Sequence, residues 1–268
     1  MDLKRHYYED VRLFSSGTVV FWFILLILIL ALFPLVVKNY YIYLANYIAI
    51  NIIIVLGLNL LVGFTGQISL GHAGFVAIGA YGTIFLMTRL HLPFLPALLI
   101  AALIAALFGF LLGLPSLRLE GPYLSIATLG FGLTITQIIG RMDIFGGREG
   151  LHTPELTMGP WHVYTDLDFY SQLIPHTFLL TLAARNITKT KVGRAFVAIR
   201  DADIAAETMG VNLLLYKTLA FSVSAFYAGI GGGMYAFVLR FVEPEIFTLM
   251  MSIMFLAMVV VGGCLLYT

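Results

Sequence analysis

Apolar residues along this chain fall into long unbroken runs, not alternating ones. Eight runs, over 18–37, 40–64, 71–88, 92–114, 121–140, 169–185, 216–240 and 246–267, are separated by shorter polar stretches. A helix that crosses a bilayer takes about 20 apolar residues. A transmembrane β-barrel would show dyad alternation in segments of about ten. The pattern therefore predicts an all-α polytopic bundle of about eight spans. The first run ends at Lys38, Asn39, Tyr40 and Tyr41 with no small-residue cleavage signal, so it reads as an uncleaved span. The sixth is the least apolar, because it carries Gln172, Pro175 and His176.

Composition agrees. Hydrophobic residues make up 60% of the 268 and charged residues 11%, against about 45–50% and about 25% in soluble domains. A net charge of +1 excludes a strong electrostatic case for binding nucleic acid. The single cysteine, Cys264, excludes an internal disulfide. Lys and Arg set the orientation. With the N-terminus inside, the inner segments hold Lys4, Arg5, Arg12, Arg118, Arg185, Lys189, Lys191, Arg194, Arg200 and Lys217. The outer ones hold only Lys38, Arg89, Arg141, Arg148 and Arg240. The expected organisation is a cytoplasmic segment, 1–17, and one transmembrane domain, 18–268. That domain carries an acidic outer loop at about 141–168 and a basic inner loop at about 186–215.

Four segments carry more than hydropathy. Residues 63–82 hold Gly63, Gly66, Gly71, Gly74, Gly79 and Gly82, with Thr65, Gln67, Ser69 and His72 among them. Two readings stand side by side. One is a discontinuous segment lining a pathway. The other is a cytoplasmic turn followed by a tightly packed helix, in which His72 is a hydrogen-bonded packing residue. In the second segment, Gly121-Pro122 marks a helix start, with Glu120 placed to complement the dipole. Ser125, Thr128, Thr134, Thr136 and Gln137 then make this span polar. They either line a pathway or satisfy their own helix's carbonyls. The third segment, Phe145 to Leu151, is a glycine turn with paired charges, read as either an outer docking element or a plain loop. In the inner loop, Phe196, Ile199, Ala202 and Ala206 form a stripe at helical spacing, closed by Gly210. This predicts one short amphipathic helix, lying in the headgroups or docking a cytoplasmic partner. Further along, Gly229 and Gly233 have GxxxG spacing within a span, which favours close packing over a pathway role.

No P-loop motif is present, and neither is H-E-x-x-H or G-x-S-x-G. The expectation is a non-enzyme with no cofactor or metal site of its own.

The segments TGQISLGHAGF, GPYLSIATLGFG, GGREGL and GRAFVAIRDADIAAETMGVN, in this order, resemble the permease family of the high-affinity branched-chain amino acid ABC importers. The likeness covers about 40–263 and is closer to the M-type than to the H-type subunit. It implies a bacterial inner-membrane complex: this chain and an H-type permease form the pore, two cytoplasmic ATPases consume ATP, and a periplasmic binding protein delivers leucine, isoleucine or valine. Ile204-Ala205-Ala206-Glu207-Thr208-Met209-Gly210 matches the EAA-x-x-x-G-like loop of ABC permeases, with Ile204 in place of Glu. The resemblance thus assigns coupling to Ala205, Ala206, Glu207 and Gly210, with Arg200 and Asp201 at the edge of the contact. Thr65, Gln67, Ser69, His72, Ser125, Thr128, Gly229 and Gly233 are the pathway or packing candidates.

The chain departs from the family pattern in places. Leu133 replaces a common Glu, Phe145 replaces a common Thr, and the chain leaves the pattern after Gly262-Gly263, as a truncated member would. Competing expectations are an ATP-independent channel or secondary transporter, a non-transporting remnant, and urea or short amides as substrate.

Overall fold

The computed structural model describes residues 17–117, 119, 121–154, 156–158, 161–163 and 165–264. The expected roles of Lys4, Arg5 and Arg12 in 1–16, and of Arg118 and Glu120, lie outside these residues, as do 265–268.

Each apolar run is a helix. The order is α1 (Gly17–Val36), α2 (Asn39–Thr65), α3 (His72–Arg89), α4 (Phe94–Gly113), α5 (Pro122–Arg141), α6 (Asp166–Lys189), α7 (Lys191–Asp201), α8 (Asp203–Thr208), α9 (Leu213–Leu239) and α10 (Leu249–Val259). A π-helical turn, Val260–Cys264, continues α10. By length and composition, four of these helices are long and apolar enough to cross a membrane: α2, α4, α5 and α9. Shorter apolar helices cover Val20–Val36 and Leu249–Gly262.

Two expectations change. The sixth run is a longer helix than its apolar core, 24 residues, or about 36 Å at 1.5 Å per residue. A capping box extends its start: the Asp168 N–H donates to Thr165 Oγ1 at 3.2 Å, and Asp168 Oδ2 accepts from the Thr165 N–H at 3.2 Å. The inner loop is two helices rather than one. Ala202 is extended (φ −163°, ψ 98°) and separates α7 from α8.

Helix α9 is the axis of the bundle, packed against α2, α3 and α4. From Tyr227 to Val238 every residue is buried. Apolar association gains little in lipid, so helices hold together through close van der Waals contact. The glycines of α9 supply it. A Cβ at Gly232 would lie 2.0 Å from the Val76 carbonyl oxygen, and one at Gly79 would lie 2.1 Å from that of Gly229.

The loop after α5 folds back on the bundle. Leu151–His152 pairs antiparallel with Phe241–Val242, and Leu156–Met158 pairs with Trp161–Val163. Phe145 meets Tyr81 and Phe85 edge to face. The glycine turn is thus a docked structure, not a plain loop. The Phe145 ring packs it against α3.

Candidate functional site

The site begins where α2 stops. Gly66 is left-handed (φ +69°). Its N–H donates to Val62 O at 3.1 Å and that of Gln67 donates to Leu61 O at 3.3 Å, so the last carbonyls of α2 are satisfied. The chain then runs non-helically through Gly71 before α3 starts at His72. Irregular backbone inside a membrane bundle needs partners from neighbouring helices. Here α5 and α10 provide them. Ser125 Oγ donates to Ile68 O at 3.3 Å, and the Leu70 N–H donates to Thr128 Oγ1 at 3.0 Å. The Ala73 N–H, at the open start of α3, donates to Ser252 Oγ at 2.9 Å. A Cβ at Gly71 would lie 1.8 Å from the Thr128 carbonyl oxygen. The segment therefore lies flush along α5.

The segment is a buried, non-helical connection between α2 and α3. Ser125 and Thr128 hold its backbone, and Thr128 also donates to Ser125 O at 2.9 Å in its own helix. Thr65 bonds back to Leu61 O within α2. Gln67, Ser69 and His72 are buried, and their side-chain polar atoms have no hydrogen-bond partner among the described residues. The His72 ring lies beside the Ile54 carbonyl, edge-on to Phe75 and Phe255. His72 is thus packed among these groups, with the Ile54 carbonyl as its polar neighbour. Gly229 and Gly233 sit at helix contacts, against Ala102 and against Leu98 and Thr83.

At the end of α2 this segment is met by α7 and α8. Arg200 Nη1 donates to Gly63 O at 3.1 Å, and its Nε pairs with Asp201 Oδ1 at 3.1 Å. The buried Lys217 pairs with Asp203 at 2.6 Å. Between these elements lies a cavity of about 270 Å³, lined among others by Gln67, Ser116, Arg200, Asp203 and Lys217.

The structure divides the expected coupling residues. Arg200 turns toward α2, and Ala206 is buried. Asp201, Ala205, Glu207 and Gly210 are exposed. Beside them stand two residues that sequence reasoning left out of the contact, Ile204 and Met209, which are 80% and 85% exposed. Their signal was an apolar residue off the buried stripe on each side of the Ala-Ala pair. Ser252 was also missed. It is a lone hydroxyl in the Met-rich run of α10, and only the fold brings it to Ala73.

Helix α5 shows the reverse of α9. Only 28% of its apolar window is buried. Tyr123, Ile126, Leu133, Thr134, Gln137 and Ile138 all face outward. At its outer end a cavity of about 500 Å³ is lined by Thr136, Gln137, Arg141, Arg148 and Glu245.

Known proteins share this pattern. The family described as branched-chain amino acid transport system / permease component matches residues 40–267. The chain is 35% identical to the high-affinity branched-chain amino acid transport system permease protein LivM of Escherichia coli, covering 90% of this chain and 63% of that one. The LivM of Salmonella typhimurium is 34% identical over the same shares. A probable branched-chain amino acid transport permease protein LivM of Methanocaldococcus jannaschii is 24% identical over 52% of this chain and 42% of its own. The chain thus spans 63% of the length of the first two relatives. No solved structure matches. With this match over nearly its whole length and helices of membrane-spanning length, the chain is a multi-pass membrane protein that belongs to the family of branched-chain amino acid transport permease components.

Proposed function

We propose that this chain is the M-type permease subunit of an ABC importer in the bacterial inner membrane, moving leucine, isoleucine or valine inward by alternating access. A second, H-type permease completes the pore, a periplasmic binding protein delivers the substrate, and two cytoplasmic ATPases supply the work. The chain itself hydrolyses no ATP. The observation that carries this reading is the inner segment Asp203–Thr208. It presents Ile204 and Met209 to the outside of the bundle, and its neighbour Arg200 reaches the break after α2. Two large apolar side chains on a charged inner loop suit a groove on a soluble partner. The names of the relatives support branched-chain amino acids as the substrate.

Reconstitution tests the reading. Proteoliposomes holding the complete complex should take up labelled leucine only with ATP and binding protein, with valine competing and urea not competing. Ile204→Asp with Met209→Asp should leave the chain inserted but abolish recovery of the ATPase in a mild-detergent pull-down. Leucine uptake by the purified chain alone, without ATP, would overturn the proposal in favour of a channel or secondary transporter.

A further inference from the structure

We infer that Arg200 is a positioning residue that ties the partner-facing segment Asp203–Thr208 to the last turn of α2, where the non-helical residues 66–71 begin, so that a displacement of the partner-facing segment is passed to those residues. The inference rests on the ABC reading above and assigns the link within this chain.

The last carbonyls of a helix lack intrahelical donors and carry the negative end of its dipole. Arg200 donates to one of these on α2, Gly63 O, from a different element. Gly66 makes room for the approach, since a Cβ there would lie 3.3 Å from Arg200 Cγ. The guanidinium is held on its other edge by Asp201, and a planar fork fixed at two points transmits a displacement better than a single flexible ammonium. Ala202 is the extended joint that lets Arg200 and Asp203 point to different helices. On the far side of that joint Asp203 is bound to Lys217 near the start of α9. The α7–α8 joint is therefore fastened twice, to the end of α2 and to the beginning of the axial helix, while Ile204 and Met209 stay outside.

The two fastenings meet different surroundings. Helix α9 is locked by backbone contacts on several sides. The segment after Gly66 is held by side-chain hydroxyls of α5, and the side chains of Gln67 and Ser69 make no hydrogen bond among the described residues. A pull on the joint thus moves residues 66–70 in preference to the axis and to Gly71, whose backbone is seated on that of Thr128. The link through Arg200 decides whether Gln67 and Ser69 respond.

The test uses the whole complex in proteoliposomes, with Arg200→Ala, Arg200→Lys and wild type compared for ATP hydrolysed per leucine transported. A merely structural role lowers both rates together. The expected result is that the ratio rises at least tenfold in Arg200→Ala, with an intermediate value in Arg200→Lys. A second measurement follows Ser69→Cys in a Cys264→Ser background, by the rate of thiol alkylation with and without vanadate trapping. Vanadate should change that rate at least threefold with Arg200 present and not with Arg200→Ala, while a cysteine at Ile204 still reports the trapped state. An unchanged ratio, or a vanadate response at Ser69→Cys that survives Arg200→Ala, overturns the inference. A wild-type complex with no ATP-dependent uptake would instead overturn the underlying reading.

Discussion

Helices α5 and α9 are equally apolar by mean hydropathy, yet the share of the apolar window buried is 28% in the first and 56% in the second. The difference lies in which residues break the apolar run. In α9 the hydroxyls of Thr218, Ser222 and Ser224 are followed by four glycines between 229 and 233, which let neighbouring backbones touch at Gly79, Val76 and Ala102 and so make it the axis. In α5 the interruptions are mainly hydroxyls and an amide. Ser125 and Thr128 serve another segment's backbone, while Thr134 and Gln137 remain on an outward face. Small residues in a span build a scaffold that cannot yield. Polar ones build a surface with capacity left for something else.

Five substitutions sharpen this contrast, beyond the Arg200 series. The largest effect falls on the axis. Gly79→Leu or Gly232→Leu drives a side chain into backbone that has no room to move. Overpacking costs about 1–3 kcal/mol in ordinary cores and more where backbone must shift. The expected outcome is loss of the monodisperse peak in fluorescence-detected size-exclusion chromatography. A normal peak would show that the bundle is looser than its glycine contacts imply.

Next comes Thr128→Val, nearly isosteric, which strands the Leu70 N–H inside the bundle. An unsatisfied buried donor costs about 1–3 kcal/mol. Thermal stability should fall, and uptake should fall further than stability, because the segment that moves loses its rail. Equal behaviour of Thr128→Val and wild type in both assays would remove α5 from that role.

Gly210→Leu should cost less in stability. Gly210 has φ +86° and nothing within 4 Å of a built Cβ, so the penalty is backbone strain of about 1–3 kcal/mol at an exposed site. The chain should insert normally, ATPase recovery in the pull-down should drop, and uptake should be abolished. Undiminished ATP-dependent uptake would sink the assignment of this segment to coupling.

Smallest in stability is Gln137→Leu on the outward face of α5, expected within about 0.5 kcal/mol as for other surface changes. If that face borders the pathway or the second permease, uptake should fall severalfold while the melting temperature stays put. Unchanged uptake would make Gln137 a spectator.

Much of this was legible in advance. Hydrophobic run length determined the helices, Gly121-Pro122 determined the start of α5, and the Gly229 to Gly233 spacing announced close packing. Gly66 and Gly71 marked a break, because glycine is costly inside a helix and useful where backbones meet. The division of the inner loop was not legible. Ala202 is a good helix former, yet it is extended between Arg200 and Asp203, which are bound to different helices.

The sequence by itself thus determined the long apolar helices and the family, since both follow from local hydropathy and motif order. The tertiary structure alone decided who meets whom. It placed the serine of α10 at the start of α3, the hydroxyls of α5 along a segment more than 50 positions earlier in the chain, and an inner-loop arginine on the end of α2. Such contacts depend on how helices cross in three dimensions, and a one-dimensional pattern carries no record of crossing.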